Sequence, residues 1–372
     1  MSEFNRQAEE LSKKLSRRGF IKVAAMMGIL AGCRAAGLRE TPTPIPPPES
    51  PTPESTETAA PTPTVPQGRP EVIQTYPDMT SRVVHTHHTG AWSGGSLEPN
   101  ALRQMLDASI AQLTGLNDAG EAWRALFRPG ERVAIKVNAF HNSRIWTHPA
   151  LIMAIVEALQ KAGIAADQIV IFDCRTSELE EAGYPVNPDG AGVRCYGTDG
   201  DYVGDWDVVS DVVGRTTQLS RILMDAHALI NVPIFKAHNI AGLTLAMKNH
   251  YGSIPNPESY HQSRAMGLGM PALNALPPIQ ERTRLIVGDL LAGCIHPGRS
   301  YPYWEADYEG DAILMSFDPV AHDTVGLDVL SELLGGGGGW VNRATPWLEQ
   351  GAEIGLGAHA AGDFELTELN LA

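Results

Sequence analysis

A layered α/β fold with a mostly parallel sheet and helices on both faces, formed as a single large domain over residues 71–372, is what this sequence predicts. Two observations predict it. From Arg82 onward, short apolar runs alternate with longer amphipathic stretches, the grammar of sheets covered by helices. The first clear pair of apolar runs also flanks a helical pattern, which makes a βαβ unit and sets its two strands parallel.

In that unit, Arg132 to Asn138 reads as a buried strand ending in polar residues, Pro149 to Lys161 as an amphipathic helix stopped by Gly163, and Gln168 to Asp173 as the second strand. Further on, Leu219 to Ala226 is expected to be helical, Ala228 to Phe235 a strand, and Ile240 to Tyr251 a helix after a polar turn. Leu285 to Leu290 and Ala312 to Phe317 complete the strands, and a helix over Pro319 to Leu334 ends at the glycine run Gly335 to Gly339. That run follows a helix and holds no lysine, so it reads as a loop and not as a phosphate cradle. Asp318 stands where a helix cap belongs, with Pro319 in the first turn.

The formal charge of −15 is spread along the chain, so no basic stripe exists to track a phosphate backbone, and nucleic acid is not an expected partner. The four cysteines, Cys33, Cys174, Cys195 and Cys294, form no CxxC pair, which argues against a zinc ribbon or an iron-sulfur cluster. Cys174 and Cys195 read equally as a disulfide or as buried thiols.

The first seventy residues have a different composition. Ser16-Arg17-Arg18-Gly19-Phe20-Ile21-Lys22 precedes an apolar run from Val23 to Gly32 that is too short for a ~30 Å hydrocarbon core. The string resembles a twin-arginine export signal, and Leu30-Ala31-Gly32-Cys33 resembles a bacterial lipobox with Cys33 as the lipidation site. Residues 34–70 are rich in proline and threonine, the composition of a disordered, extended tether. The expected partners are therefore the twin-arginine export machinery and a membrane reached through the lipid anchor. The expected location is the extracytoplasmic face of the cell membrane.

Ligands of open parallel sheets bind beyond the carboxyl ends of the strands. Lys136, Asn138 and His141 follow the first strand, Asp173, Cys174 and Arg175 the second, and Asn231, Lys236, His238 and Asn239 flank the third, while Asp289 and Asp318 close the last two. On the expected helix over residues 240–251, Thr244 and Lys248 share a face, and Asn249 lies on the neighbouring one. Lys136, Lys236 and Lys248 would then give a cationic pocket for a small anionic ligand. Asn138, Thr244, Asn249 and Asp289 would complete the ligand contacts. Lys236, Lys248, His238 and His261 are the candidates for proton transfer. For any one lysine, solvation or pairing with an aspartate is the plainer reading, and for each histidine a structural hydrogen bond.

Histidine supplies a second pattern, because His85 and His87 alternate on one face of the opening strand. A divalent metal is expected, if at all, from His141, His238, His261 and Asp323, since two or three imidazoles with a carboxylate suit zinc or iron. His322 and Asp323 fall one turn inside their helix.

Ile135-Lys136-Val137-Asn138, the segment from Pro233 to His238, Thr244 to Gly252 with its Lys248-Asn249 pair, His261, Asp289 and Asp318 to Asp323 resemble domain-of-unknown-function family 362, over roughly Arg82 to Leu334. The resemblance implies an α/β domain without an established general activity, carried in some relatives beside modules that bind iron-sulfur clusters. This chain lacks their four-cysteine motif. The expectation is thus a membrane-anchored enzyme or redox-associated protein, with or without a redox partner, acting on a small anionic substrate. The alternative is a lipoprotein that binds a solute or cofactor without changing it.

Overall fold

This computed structural model describes residues 69–73, 79–140, 145–210, 213–260, 263–297, 305–336 and 338–372, all within a compact unit spanning residues 61–372. Arg17, Arg18, Cys33, His141 and His261 lie outside the described residues, as does nearly all of the expected tether.

In chain order the strands are β1 (Ser81–His88), a small hairpin of β2 (Trp92–Ser93) and β3 (Ser96–Leu97), β4 (Val133–Lys136), β5 (Ile169–Phe172) and β6 (Arg194–Cys195). A second hairpin of β7 (Tyr202–Ser210) and β8 (Val213–Ser220) follows. Next come β9 (Ala228–Asn231), β10 (Ile234–His238), β11 (Gly242–Thr244), β12 (Thr283–Cys294), β13 (Tyr308–Ser316) and β14 (Phe364–Leu371). The central sheet has ten strands in the order β14-β1-β13-β12-β9-β4-β5-β6, with β10 and β11 branching from β12. Pairings from β12 through β9, β4 and β5 to β6 are parallel, whereas β13 runs antiparallel to both β12 and β1. The α/β class and the mostly parallel sheet thus match the sequence expectation.

Strand alternation explains why both faces need helices. Val133 and Ile135 point into one apolar core, packed by the helices Pro99–Thr114, Ala119–Leu126 and Pro149–Lys161. Ala134 and, from β5, Val170 and Phe172 point into the other, with the helices Arg221–Asp225, Pro319–Leu333 and Gly338–Glu353. Helix Pro99–Thr114 buries Leu102, Met105, Leu106 and Ile110 completely or nearly so, and each such side chain contributes roughly 1.5–3 kcal/mol of transfer free energy.

Three local expectations need correction. Ala228 to Phe235 is two strands, because Pro233 offers no N–H to a ladder and β10 moves on to pair with β11 and β12. Ile240 to Tyr251 is not one helix: β11 folds back on β10, a helix covers only Ala246–Asn249, and a 3-10 turn takes His250–Ser253. Gly242 turns that hairpin at φ 84°, and a side chain there would strike the Trp340 carbonyl. Leu219 to Ala226 likewise ends β8 at Ser220 before the helix Arg221–Asp225 begins. In the glycine run, Gly335 and Gly336 close the preceding helix at positive φ, and the next helix starts at Gly338.

No helix among the described residues is long and apolar enough to cross a membrane.

Candidate functional site

β4 is where the sheet order turns, with β5 and β6 on one side and β9 on the other. A crevice at the carboxyl ends of such strands is the expected ligand site. A cavity of about 540 Å³ lies there, lined among others by Lys136, Asn138, Lys236, His238, Thr244, Lys248 and Asn249. Seven of the sequence-predicted residues, from four segments, therefore meet in one place. Asp289 and Asp323 do not line it, and His141 and His261 fall outside the described residues.

Lys136 is not a cation offered to a ligand, which corrects its expected role. Its Nζ is buried and donates to Asp173 Oδ1 at 2.6 Å and to the Val137 carbonyl at 2.7 Å. Asp173 in turn accepts from the backbone N–H of Ala139 at 2.6 Å and of Cys174 at 2.8 Å. Gly252 passes so close that a side chain there would collide with both members of the ion pair. The pair serves as a fixed floor.

From that floor a polar chain reaches Lys236. Asn249 Nδ2 donates to Asn231 Oδ1 at 2.7 Å and to the Lys136 carbonyl at 3.3 Å, which fixes the amide. Its Oδ1 accepts from Asn138 Nδ2 at 3.4 Å, and Asn138 Oδ1 accepts from Lys236 Nζ at 3.1 Å. Thr244 and Lys236 are direct partners across the antiparallel β10–β11 pair, so they share a face as cross-strand neighbours, not as helix neighbours of Lys248. The buried Thr244 hydroxyl has no hydrogen-bond partner among the described residues.

Lys248 comes from the last turn of the short helix and sets its ammonium 5.3 Å from the Tyr251 ring centroid. It makes no ion pair with a carboxylate among the described residues. Burial pushes the Lys248 amine down to about 7, helped by the charge of Lys236; burial likewise lowers Lys236 to about 8 against the opposing pull of Cys294 and Asp173. Two amines that change charge near neutral pH thus face one cavity. Glu178, Arg175 and Glu258 stand on the same lining, with Arg175 and Glu178 paired at 3.9 Å.

His238 is buried, and its Nδ1 accepts from the backbone N–H of Ile240 at 3.2 Å and of Ala241 at 3.1 Å. Those bonds select the tautomer with its proton on Nε2. Nδ1 is already used, which weighs against His238 as a metal ligand through that atom. Cys174 also lines the cavity, but burial raises its thiol, and Cys174, Cys195 and Cys294 are all free.

Asp323, expected as a metal ligand, is fully buried and committed elsewhere. Its oxygens accept from the backbone N–H of Ala246 and Met247 at 2.8 and 3.0 Å, and Oδ1 also meets His322 Nδ1 at 2.9 Å. It caps the helix that presents Lys248. Asp318 caps its own helix, accepting from Val320 and Ala321.

Asp289, expected as a ligand contact, instead holds a histidine that the sequence did not single out. Its Oδ2 accepts the His148 backbone N–H at 2.7 Å and meets His148 Nδ1 at 2.8 Å. Burial lowers the imidazole, but the Asp289 charge and hydrogen bond outweigh it and leave His148 above its usual range. Of the pair, His148 lines a separate cavity of about 450 Å³ together with Trp92 and Trp146. The only signal for His148 was its place just before Pro149 at a helix start, which reads first as a cap. Gly252 was similarly silent, because close approach of backbone to an ion pair leaves no mark in sequence.

No curated protein matches the chain. Among solved structures, a structural-genomics protein from Thermotoga maritima is 10% identical with a TM-score of 0.39, the match covering 65% of this chain and 60% of that one. The lactate racemase apoprotein from Thermoanaerobacterium thermosaccharolyticum is 11% identical with a TM-score of 0.35, covering 67% of this chain and 57% of that one. This chain thus spans about three-fifths of the length of either. The profile of DUF362, described as a domain of unknown function, matches residues 133–328, more than half of the 372 residues and every described residue placed in the lysine cavity. The chain belongs to the DUF362 family.

Proposed function

We propose that this chain is a lipid-anchored extracytoplasmic enzyme that binds a small anionic substrate between Lys236 and Lys248 and moves a proton with one of those amines. The observation that carries the proposal is two amines facing one desolvated cavity, with the charge of Lys236 helping to lower Lys248 and with Lys136 already paired to Asp173. An anion relieves that repulsion and draws both amines into their charged forms. The Thr244 hydroxyl, without a hydrogen-bond partner among the described residues, is a further donor for it.

An amine near pH 7 is also poised to give or take a proton at neutral pH. Lys248 is the better candidate, since among the described residues no side-chain hydrogen bond ties it, whereas Lys236 is bonded to Asn138. The residues Asn138, Asn249 and the Lys136–Asp173 pair are positioning groups that hold Lys236 and the cavity floor.

Protein purified from its own host, with its bound small molecule left in place, tests the reading. Prolonged incubation followed by mass spectrometry of the released ligand should show a converted product in the wild type and unconverted ligand with Lys248→Met. A ligand returned unaltered by both proteins makes the chain a solute-binding lipoprotein instead. For anchoring, Cys33→Ser should move the protein from the membrane to the soluble fraction of fractionated cells. Membrane retention of that variant would rule out lipidation at Cys33 as the anchor.

A further inference from the structure

The face of β1 that carries His85 and His87 lies between β14 and β13. Glu368 of β14 stands directly opposite His85 in the parallel register, and Asp311 of β13 is adjacent to Ala312, the partner of His87. We infer that His85, His87 and Glu368 form a binding site for a divalent transition-metal cation of the zinc type, with Asp311 orienting His87 from behind.

The distances suit such an ion. His85 Nδ1 lies 3.1 Å from Glu368 Oε1, and His87 Nε2 lies 3.6 Å from Glu368 Oε2. One ligand atom from each of the three residues falls within 4.8 Å of the others. Ligand atoms held about 2.0–2.1 Å from a tetrahedral zinc stand about 3.3 Å apart, so side-chain adjustments of a fraction of an ångström close the shell. His87 Nδ1 meets Asp311 Oδ1 at 2.9 Å, the arrangement in which a carboxylate fixes a ligating imidazole with its other nitrogen turned to the metal.

Charge points the same way. Neither Glu368 nor Asp311 pairs with a lysine or arginine among the described residues, and the two imidazole rings lie side by side with centroids 4.2 Å apart. Two carboxylates with no basic side chain paired to them leave a local charge that a dication offsets. His85 is almost fully buried, and its Nε2 has no partner among the described residues, so the ring makes its polar contact on the cluster side through Nδ1. His87 and Glu368 are part-exposed, at 32% and 48%, which leaves a route for the ion and room for water as a further ligand.

The site clasps β14 to β1, and it lies apart from the lysine cavity. Metal-free full-length protein titrated with Co²⁺ should develop the visible absorption of a low-coordinate nitrogen-oxygen site, displaced by Zn²⁺, at one equivalent. Zn²⁺ should also raise the thermal midpoint, because only the folded chain assembles the ligands. His87→Ala and Glu368→Gln, both at part-exposed positions and checked for native circular dichroism, should lose the absorption and the thermal shift. Asp311→Asn should bind about 10–100-fold more weakly while keeping the spectrum. A wild-type protein that takes up no Co²⁺ or Zn²⁺, or ligand variants that bind as well as wild type, would overturn the assignment.

Discussion

Asp173→Asn should cost about 3–5 kcal/mol of stability, the usual loss when one member of a buried ion pair is removed and its partner charge stays behind. The environment of Asp173 makes the amide a poor substitute. All three of its side-chain contacts are donors: Lys136 Nζ, the Ala139 N–H and the Cys174 N–H. An asparagine must turn its NH₂ toward at least one of them, so a repulsive contact is added to an unpaired ammonium. Relaxation is limited on the remaining side, where the Gly252 backbone abuts the pair. Replacing Lys136 by methionine in the same protein should recover most of the loss, since the buried charge then disappears. Chemical denaturation of the single and double variants measures both effects. A single variant within about 0.5 kcal/mol of wild type would mean that water reaches the pair and that the cavity floor is not sealed.

The course of the βαβ unit was legible in the residues because its two strands are short apolar runs and its helix carries a strong stripe. The helix Pro149–Lys161 begins and ends where proline and the following glycine place it. The stretch from Gly242 to Asn249 was not legible: every residue of it except Lys248 is buried, and a segment buried on all sides has no period by which to tell a strand from a helix. The cavity's membership survived that error. Thr244 and Lys248 converge through a hairpin and a short helix instead of one helix face. Contacts made across long sequence separations were invisible. The partner of Lys136 is 37 residues away and that of His85 is 283, and no local pattern announces either. Asp289 and Asp323 show the opposite failure, since carboxylates at strand ends look like ligands when their real work is to hold a histidine and a helix start.

Replacing both Lys236 and Lys248 by methionine should abolish anion binding without unfolding the protein. Each charge-assisted hydrogen bond is worth roughly 1.5–3 kcal/mol, so either single variant should bind about 10–100-fold more weakly. Stability should not fall, because both amines are held below their unfolded value near 10.4 by burial, and methionine removes that penalty while keeping most of the volume. The sign of the pH effect follows. Between pH 7–8 and about 10 the unfolded chain binds protons that these folded lysines have released, so they make the wild-type protein more stable as pH rises through that window. The double variant should lose this rise.

Anion affinity runs the other way, since the bound anion needs the charged amines. Above pH 8, affinity should fall about tenfold per pH unit for each lysine that must be protonated on binding. Isothermal titration calorimetry with inorganic phosphate and with succinate, at pH 6.5 and pH 9, on the wild type and on the Lys236→Met/Lys248→Met double variant, reads this directly. Binding of at least one of these anions at pH 6.5, its loss toward pH 9, and its absence in a folded double variant is the expected result. A wild-type protein that binds neither anion at either pH, or a double variant that binds as tightly as wild type, would contradict an anion site between these two lysines.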